Sequence, residues 1–91
     1  MKRLQAVVSG RVQGVGFREF VRHEASTRGI CGYVRNSDDG RRVEVVAEGE
    51  DAAIEDLVRV LQQGPRFAVV NDVDAEFSEP SRGFAKFSVE M

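Results

Sequence analysis

Apolar and polar residues alternate along several short stretches of the chain, which is the pattern of half-buried β-strands. The clearest alternation runs over Leu4–Ser9, Arg42–Glu48 and Val69–Phe77. Two further strands are predicted at Ile30–Asn36 and, as a short final strand, at Phe84–Met91. The pattern therefore predicts five strands.

Two other segments repeat their apolar residues with the period of an amphipathic helix. The first segment begins near Phe17 and is ended by Arg28 and Gly29. The second begins at Gly49-Glu50-Asp51 and is stopped by Gly64-Pro65. The apolar stripes of the two helices consist of Phe17, Phe20, Val21 and Ala25, and of Ile54, Leu57, Val58 and Leu61.

The resulting order is β-α-β-β-α-β with one further short strand, in a chain whose 91 residues fit a single domain, 1–91. The Asp39-Gly40 pair predicts a hairpin between the second and third strands. Two strand-helix-strand units joined by a hairpin predict a split βαβ fold, with an antiparallel sheet and both helices on one face.

The connection between the first strand and the first helix, Ser9–Arg18, carries the most distinctive chemistry. Its glycines Gly10, Gly14 and Gly16 let successive amides converge on one point, and a helix N-terminus follows. Glycine-rich turns most often only connect elements, and the glycines alone favour that interpretation. Neither a Walker A motif nor a dinucleotide-binding fingerprint is present.

Arg18 changes this balance. It stands in the first helical turn, where a cation opposes the helix dipole, so its position is unfavourable unless an anion binds there. A guanidinium can bind two phosphate oxygens at once. The loop and Arg18 together therefore indicate a phosphate site.

Charge and cysteine content limit the classes of partner. Residues 1–42 carry nine basic and four acidic side chains, whereas residues 43–91 carry four and eleven. This distribution suits a small anionic ligand near the loop and argues against nucleic acid, whose binding domains are usually basic throughout. The single cysteine, Cys31, fits a reducing compartment, so a cytoplasmic location is expected. No run is apolar enough to predict a membrane span or a secretory signal.

Few residues are candidates for a catalytic group that would act beside the phosphate site. His23 lies off the apolar stripe of its helix and Cys31 has no activating neighbour in the sequence, so both are interpreted as structural or solvated. Asn36 ends the second strand, where an amide can bind and orient water. Asparagine before a turn also has local backbone reasons, and spacing alone favours those.

Two segments resemble the signatures of the acylphosphatase family. Gly10-Arg11-Val12-Gln13-Gly14-Val15-Gly16-Phe17-Arg18 resembles the first signature. Gly32-Tyr33-Val34-Arg35-Asn36, with Asp39-Gly40 and Val43-Glu44-Val45, resembles the second. The resemblance extends over nearly the whole chain, and two signatures in the right order are far more specific than one.

The resemblance implies a ferredoxin-like α/β sandwich that hydrolyses the carboxyl–phosphate bond of acyl phosphates without metal or cofactor. It implies that Gln13, Gly14, Val15, Gly16, Phe17 and Arg18 bind the phosphate of the substrate. It further implies that Arg18 and Asn36 are catalytic, with Asn36 positioning the attacking water. The expected protein is a monomer whose partner is a small acyl phosphate.

The alternative is a non-catalytic module of the same fold that binds phosphate or another small anion, because fold alone does not assign function. An RNA-binding version would carry aromatic residues on its central strands. The strands Leu4–Ser9 and Arg42–Glu48 contain none.

Overall fold

The computed structural model describes residues 1–90, and its elements follow the predicted order. In chain order they are β1 (Lys2–Arg11), α1 (Phe17–Thr27), β2 (Cys31–Asn36), β3 (Arg42–Gly49), α2 (Asp51–Gln63), β4 (Val69–Ser78) and β5 (Phe87–Glu90). The strand β1 is longer at both ends than the alternating pattern predicted, and β5 begins at Phe87 instead of Phe84. Met91, the last residue of the predicted final strand, lies outside the described residues.

The five strands form one sheet in the order β4-β1-β3-β2-β5. The pairs β1–β3, β1–β4 and β2–β3 are antiparallel, as predicted. The strand β5 instead pairs with β2 in the parallel direction, so the sheet is mixed. The long connection after β4 lets the chain return to the far edge of the sheet in this direction, and strand spacing in the sequence carries no information about it.

Both helices pack on one face of the sheet, which confirms the predicted architecture. The apolar side chains of β1 and β3 that point to this face, among them Leu4, Val8 and Val45, are almost completely buried. They pack against the buried stripes of α1 and α2, which consist of Phe17, Val21 and Ala25, and of Ile54, Leu57 and Leu61. Within residues 1–90, neither helix has the length and apolar character needed to cross a membrane.

The opposite face of the sheet is partly covered by the β4–β5 connection, residues 79–86. Its Phe84 ring lies 6.0 Å from the Tyr33 ring. Glu48, on β3, is only 1% exposed, and its carboxylate accepts hydrogen bonds from Arg3, from the amide and hydroxyl of Ser81 and from the Arg82 amide. Burial alone would raise the pKa of Glu48, but these bonds outweigh it and lower the pKa to about 2.

Gly10 is a feature of the sheet and not only of the loop that follows it. The register of β1 against β4 shifts between Ser9 and Gly10, and Gly10 has a φ of +133°. A Cβ atom at this position would lie 2.2 Å from the Val69 carbonyl oxygen. Glycine therefore allows β4 to approach β1 at the end that leads into the glycine loop.

Candidate active site

The loop between β1 and α1 is fixed at both ends by buried side chains. Val12 and Phe17 are each 1% exposed and belong to the hydrophobic core. Between them the backbone turns through left-handed conformations, with a φ of 74° at Gly14 and 77° at Gly16. Gly16 is also the N-cap of α1, and a residue with a Cβ atom would be strained there. The loop is therefore short, is fixed to the core at both ends and leads directly into the N-terminus of α1.

This helix N-terminus offers donors to a ligand. The amides of the first turn have no partner inside an α-helix, and Gly16 has no side chain that could cap them. The first bond of the helix joins the Phe20 amide to the Gly16 carbonyl, at 3.0 Å. The amides of residues 17–19 thus add their partial positive charge to that of the helix dipole.

Arg18 lies in this turn, and its guanidinium makes a hydrogen bond to a residue near the C-terminus. Its Nη1 donates a hydrogen bond to the Glu90 carbonyl oxygen in β5, at 3.0 Å. A guanidinium carries five N–H donors. Within residues 1–90 this is the hydrogen bond that Arg18 makes, which leaves the remaining donors of the fork for an anion.

Asn36 ends β2 on the other side of the loop, as the sequence predicted. Its amide oxygen is buried and has no hydrogen-bond partner in the described part of the chain. An unsatisfied buried acceptor costs about 1–3 kcal/mol, so such atoms are rare outside functional sites. A donor from a bound water or ligand would satisfy it.

A cavity of about 180 Å³ brings these groups together. Its wall is formed by Val12, Gly14, Gly16, Phe17, Arg18, Glu19, Asn36 and Val89. Five of the residues that the family resemblance indicated therefore share one cavity: Gly14, Gly16, Phe17, Arg18 and Asn36. Sequence reasoning missed Val12, Glu19 and Val89; the last comes from β5, whose place beside the loop no local pattern indicates.

Gln13 and Val15 are not part of this wall. The Gln13 side chain points to the β2–β3 hairpin, where its amide nitrogen donates to the carbonyl oxygens of Ser37 and Arg42, at 3.0 and 2.9 Å. Val15 packs against the hydrophobic core. Their predicted contribution to phosphate binding is thus not made by side chains in this cavity.

The hairpin that follows Asn36 is stabilised by Asp39. Its carboxylate accepts hydrogen bonds from the Ser37 hydroxyl, the Arg41 amide and the Arg42 guanidinium. These bonds, with that from Ser37 the strongest influence, hold the pKa of Asp39 well below its usual range. Asp39 is therefore a charged structural group of the turn.

Glu19 supplies the carboxylate on the cavity wall, and this carboxylate is ion-paired with Arg22. The Arg22 Nε donates to a Glu19 carboxylate oxygen at 2.6 Å, and this bond lowers the pKa of Glu19. A carboxylate that is paired and has a lowered pKa is a weak base at neutral pH.

The described chain has a further groove and further titratable groups outside this cavity. A larger groove of about 330 Å³ lies on the face of the sheet opposite the helices. Its lining includes Asp74 and Glu76, which would repel a phosphate, and the ion pair of Glu44 with Arg35. His23 is exposed, and no group of three His, Cys, Asp or Glu side chains within residues 1–90 is arranged to hold a metal.

Comparison with known proteins places the chain in a family. The family model described as Acylphosphatase matches residues 4–89. The acylphosphatase of Caldivirga maquilingensis is 44% identical over 87 residues, which cover 96% of this chain and 92% of that protein.

Solved structures agree with this match. The crystal structure of acylphosphatase from Bacillus subtilis superimposes with a TM-score of 0.95 at 42% identity, over 100% of both chains. The structure of an acylphosphatase from Coxiella burnetii gives a TM-score of 0.91 at 37% identity, over 98% of this chain and 92% of that one. The chain belongs to the acylphosphatase family, the hydrolases of acyl phosphates.

Proposed function

We propose that this chain hydrolyses acyl phosphates with the loop of residues 13–18, which ends in Arg18, as the phosphate site and with Asn36 as the residue that positions the attacking water. The observation that carries the proposal is the cavity whose wall includes both Arg18 and Asn36. The Asn36 amide oxygen is buried and lacks a partner within residues 1–90. The wall of this cavity thus combines a cation, the first residues of a helix and an asparagine.

The chemistry of the substrate requires little more than these groups. The carboxylate of a mixed carboxylic–phosphoric anhydride is a good leaving group, so protonation of the leaving oxygen contributes little. The barrier lies in bringing water in line with phosphorus and in stabilising the charge on the phosphoryl oxygens. The loop amides and Arg18 stabilise that charge, and the Asn36 oxygen accepts a hydrogen bond from the attacking water.

The proton of the attacking water is transferred to an oxygen of the substrate phosphate. The acid on the cavity wall, Glu19, has its carboxylate bound to Arg22, which makes it a poor base. The products are the free carboxylate and inorganic phosphate. No metal or cofactor takes part in the proposed steps.

The first experiment measures hydrolysis of benzoyl phosphate by the wild type and by Arg18→Ala and Asn36→Ala, in excess chelator. Loss of one preorganised group of this kind costs on the order of 10²–10³ in kcat, and Arg18→Ala should cost more because it also binds the ground state. The wild-type rate should not respond to chelator.

Matched variants separate these roles from general damage. Asn71→Ala changes the other asparagine, exposed on β4, and should retain wild-type activity. A general base contributes about 10²–10⁴ in rate, so a loss below about 10-fold in Glu19→Gln supports proton transfer to the substrate. A larger loss in folded Glu19→Gln would contradict that step. A folded but inactive wild type would favour the phosphate-binding module instead.

The proposal also includes a monomer in the cytoplasm that binds a small acyl phosphate and no nucleic acid. The single cysteine, Cys31, is half-buried on β2 and suits a reducing compartment. The exposed edge of β4 carries Asp72, Asp74 and Glu76, and charges on an edge strand oppose pairing between copies.

A further inference from the structure

We infer that Gln13 is a positioning residue, which sets the place of Asn36 relative to the phosphate loop. The inference rests on the proposed function, because it concerns the water-positioning half of the same site. It gives Gln13 a task different from the phosphate contact that the family resemblance implied.

The side-chain amide of Gln13 crosses from the loop to the hairpin. Its Nε2 lies 3.0 Å from the Ser37 carbonyl oxygen and 2.9 Å from the Arg42 carbonyl oxygen. A primary amide nitrogen has two hydrogens, so both donors are used. Because Ser37 follows Asn36 directly in the chain, one of the two bonds lies next to the proposed catalytic residue.

Ser37 and Arg42 form the mouth of the β2–β3 hairpin. The Ser37 amide donates to the Arg42 carbonyl oxygen at 2.9 Å, and this pair closes the turn. The single proton of the Ser37 hydroxyl has a nearer acceptor in Asp39, at 2.5 Å. These contacts stabilise the hairpin internally. The Gly10 amide also donates to the Arg41 carbonyl oxygen at 3.3 Å and holds the hairpin to the end of β1, while the Gln13 bonds fix its mouth to the phosphate loop.

If the two Gln13 hydrogen bonds are lost, we expect the hairpin to shift and the phosphate loop to stay in place. The loop is anchored independently, because Val12 and Phe17 on either side of it are buried in the core. Asn36 sits on the last rung of β2, opposite Val43, so its position depends on the hairpin mouth. A shift of the mouth therefore displaces the Asn36 amide while the phosphate site remains in place.

The test compares wild type with Gln13→Met, which keeps a similar length but has no donors. We expect kcat for benzoyl phosphate to fall by about 10-fold or more, since small misplacements of a positioned group are costly. Inhibition by inorganic phosphate should change by less than about 2-fold, because the substitution alters neither the backbone of the loop nor Arg18. Gln62→Met, an exposed position near the end of α2, is the matched control and should behave as wild type.

A double-mutant cycle shows whether Gln13 acts through Asn36. In the Asn36→Ala background, Gln13→Met should cost less than about 2-fold in kcat, because residues that act as a unit have non-additive effects. Equal losses in both backgrounds would overturn the inference. So would a parallel loss of kcat and of phosphate inhibition, which would return Gln13 to the phosphate site.

A spectroscopic readout makes the test independent of activity. The side-chain amide resonances of Asn36, identified by their absence in Asn36→Asp, should shift in Gln13→Met and remain in place in Gln62→Met. Unchanged resonances with wild-type kcat would overturn the inference. If Gln13→Met does not fold, Gln13→Asn replaces it, because the shorter amide keeps the chemistry but cannot span to both carbonyls. An inactive wild type would refute the proposed function, while the resonances would still decide the role of Gln13.

Discussion

Glu48 is a charged residue whose burial is compensated by several hydrogen bonds. Its carboxylate accepts bonds from residues of β1 and of the β4–β5 connection, including a guanidinium. The Ser81 and Arg82 amides bind different oxygens, so replacement of one oxygen by an NH2 group leaves one of these amides without an acceptor. Glu48 therefore fixes the connection against the sheet, at a site distant from the cavity of Arg18.

We expect Glu48→Gln to lower the free energy of unfolding by about 2–4 kcal/mol at pH 6. The folded pKa of Glu48 is about 2, below its ordinary value of 4.5. Its contribution is therefore complete above about pH 5 and is lost as the pH falls through 4.5 toward 2. Urea unfolding at pH 6 and at pH 3 measures both effects.

The matched control for this prediction is Glu44→Gln, on the same strand as Glu48. It removes a half-exposed carboxylate that is paired with Arg35 of β2. An exposed pair of this kind contributes about 0–1 kcal/mol. If the wild type and Glu48→Gln lost equal stability between pH 6 and pH 3, Glu48 would not be the group responsible.

Single residues were predicted unequally well from the sequence. The positions of Arg18 and Asn36 in the fold could be predicted, because each stands at the end of a regular element next to a turn. That the two belong to one site was implied by the family resemblance, since spacing alone did not indicate it for Asn36. Gln13 lies inside an irregular loop, where spacing does not tell which way a side chain points. The burial of Glu48 depends on a connection folding over the sheet from 33 residues away, which no local pattern contains.

At the scale of elements, the end of β1 combines a strand irregularity with the start of the phosphate loop. The close approach of β4 is possible because Gly10 has no side chain. The strand therefore continues to Arg11 before the loop turns away. Packing of β4 thus helps to fix the origin of the loop.

Gly10→Ala should lower the free energy of unfolding by about 3 kcal/mol, from both the positive φ and the contact with the Val69 carbonyl. The control is Gly40→Ala, at a φ of 77° with no atom within 4 Å of the added Cβ, which should cost only about 1 kcal/mol. Thermal unfolding of the two variants, followed by circular dichroism, gives the comparison. Equal costs would mean that the contact with β4 relaxes without penalty.

The periodic elements were confirmed because their patterns are local. Helices with clear apolar stripes, such as α2, and strands with regular alternation, such as β4, were predicted within a few residues. The parallel pairing of β5 with β2 was not predicted, since the direction of a strand depends on the path of the chain between them. Because the placement of β5 could not be predicted, Val89 was not predicted to line the cavity.

For the whole molecule, the edge strand β4 offers backbone groups at which two copies can pair. The strand β4 lies at one edge and is ten residues long, and its outer backbone groups are available for pairing. The exposed acids Asp72, Asp74 and Glu76 alternate along it. Two copies that met at this edge would bring like charges together.

We expect the combined variant Asp72→Asn, Asp74→Asn and Glu76→Gln to self-associate with rising concentration, while the wild type stays monomeric. Multi-angle light scattering over a concentration series measures this. The control, Asp51→Asn with Glu55→Gln and Asp56→Asn, changes the net charge equally but on α2. Association of both variants would indicate a general effect of net charge instead of the edge.

The bond between Arg18 and Glu90 joins residues separated by 72 positions in the chain. The strand that supplies Glu90 is four residues long and lies at an edge of the sheet, where it pairs with β2 and buries Phe87 in the core. Release of this strand would free the guanidinium and expose a core residue at the same time. Under the proposed function, the orientation of Arg18 and the packing of the core therefore depend on one short strand, and both would be lost together.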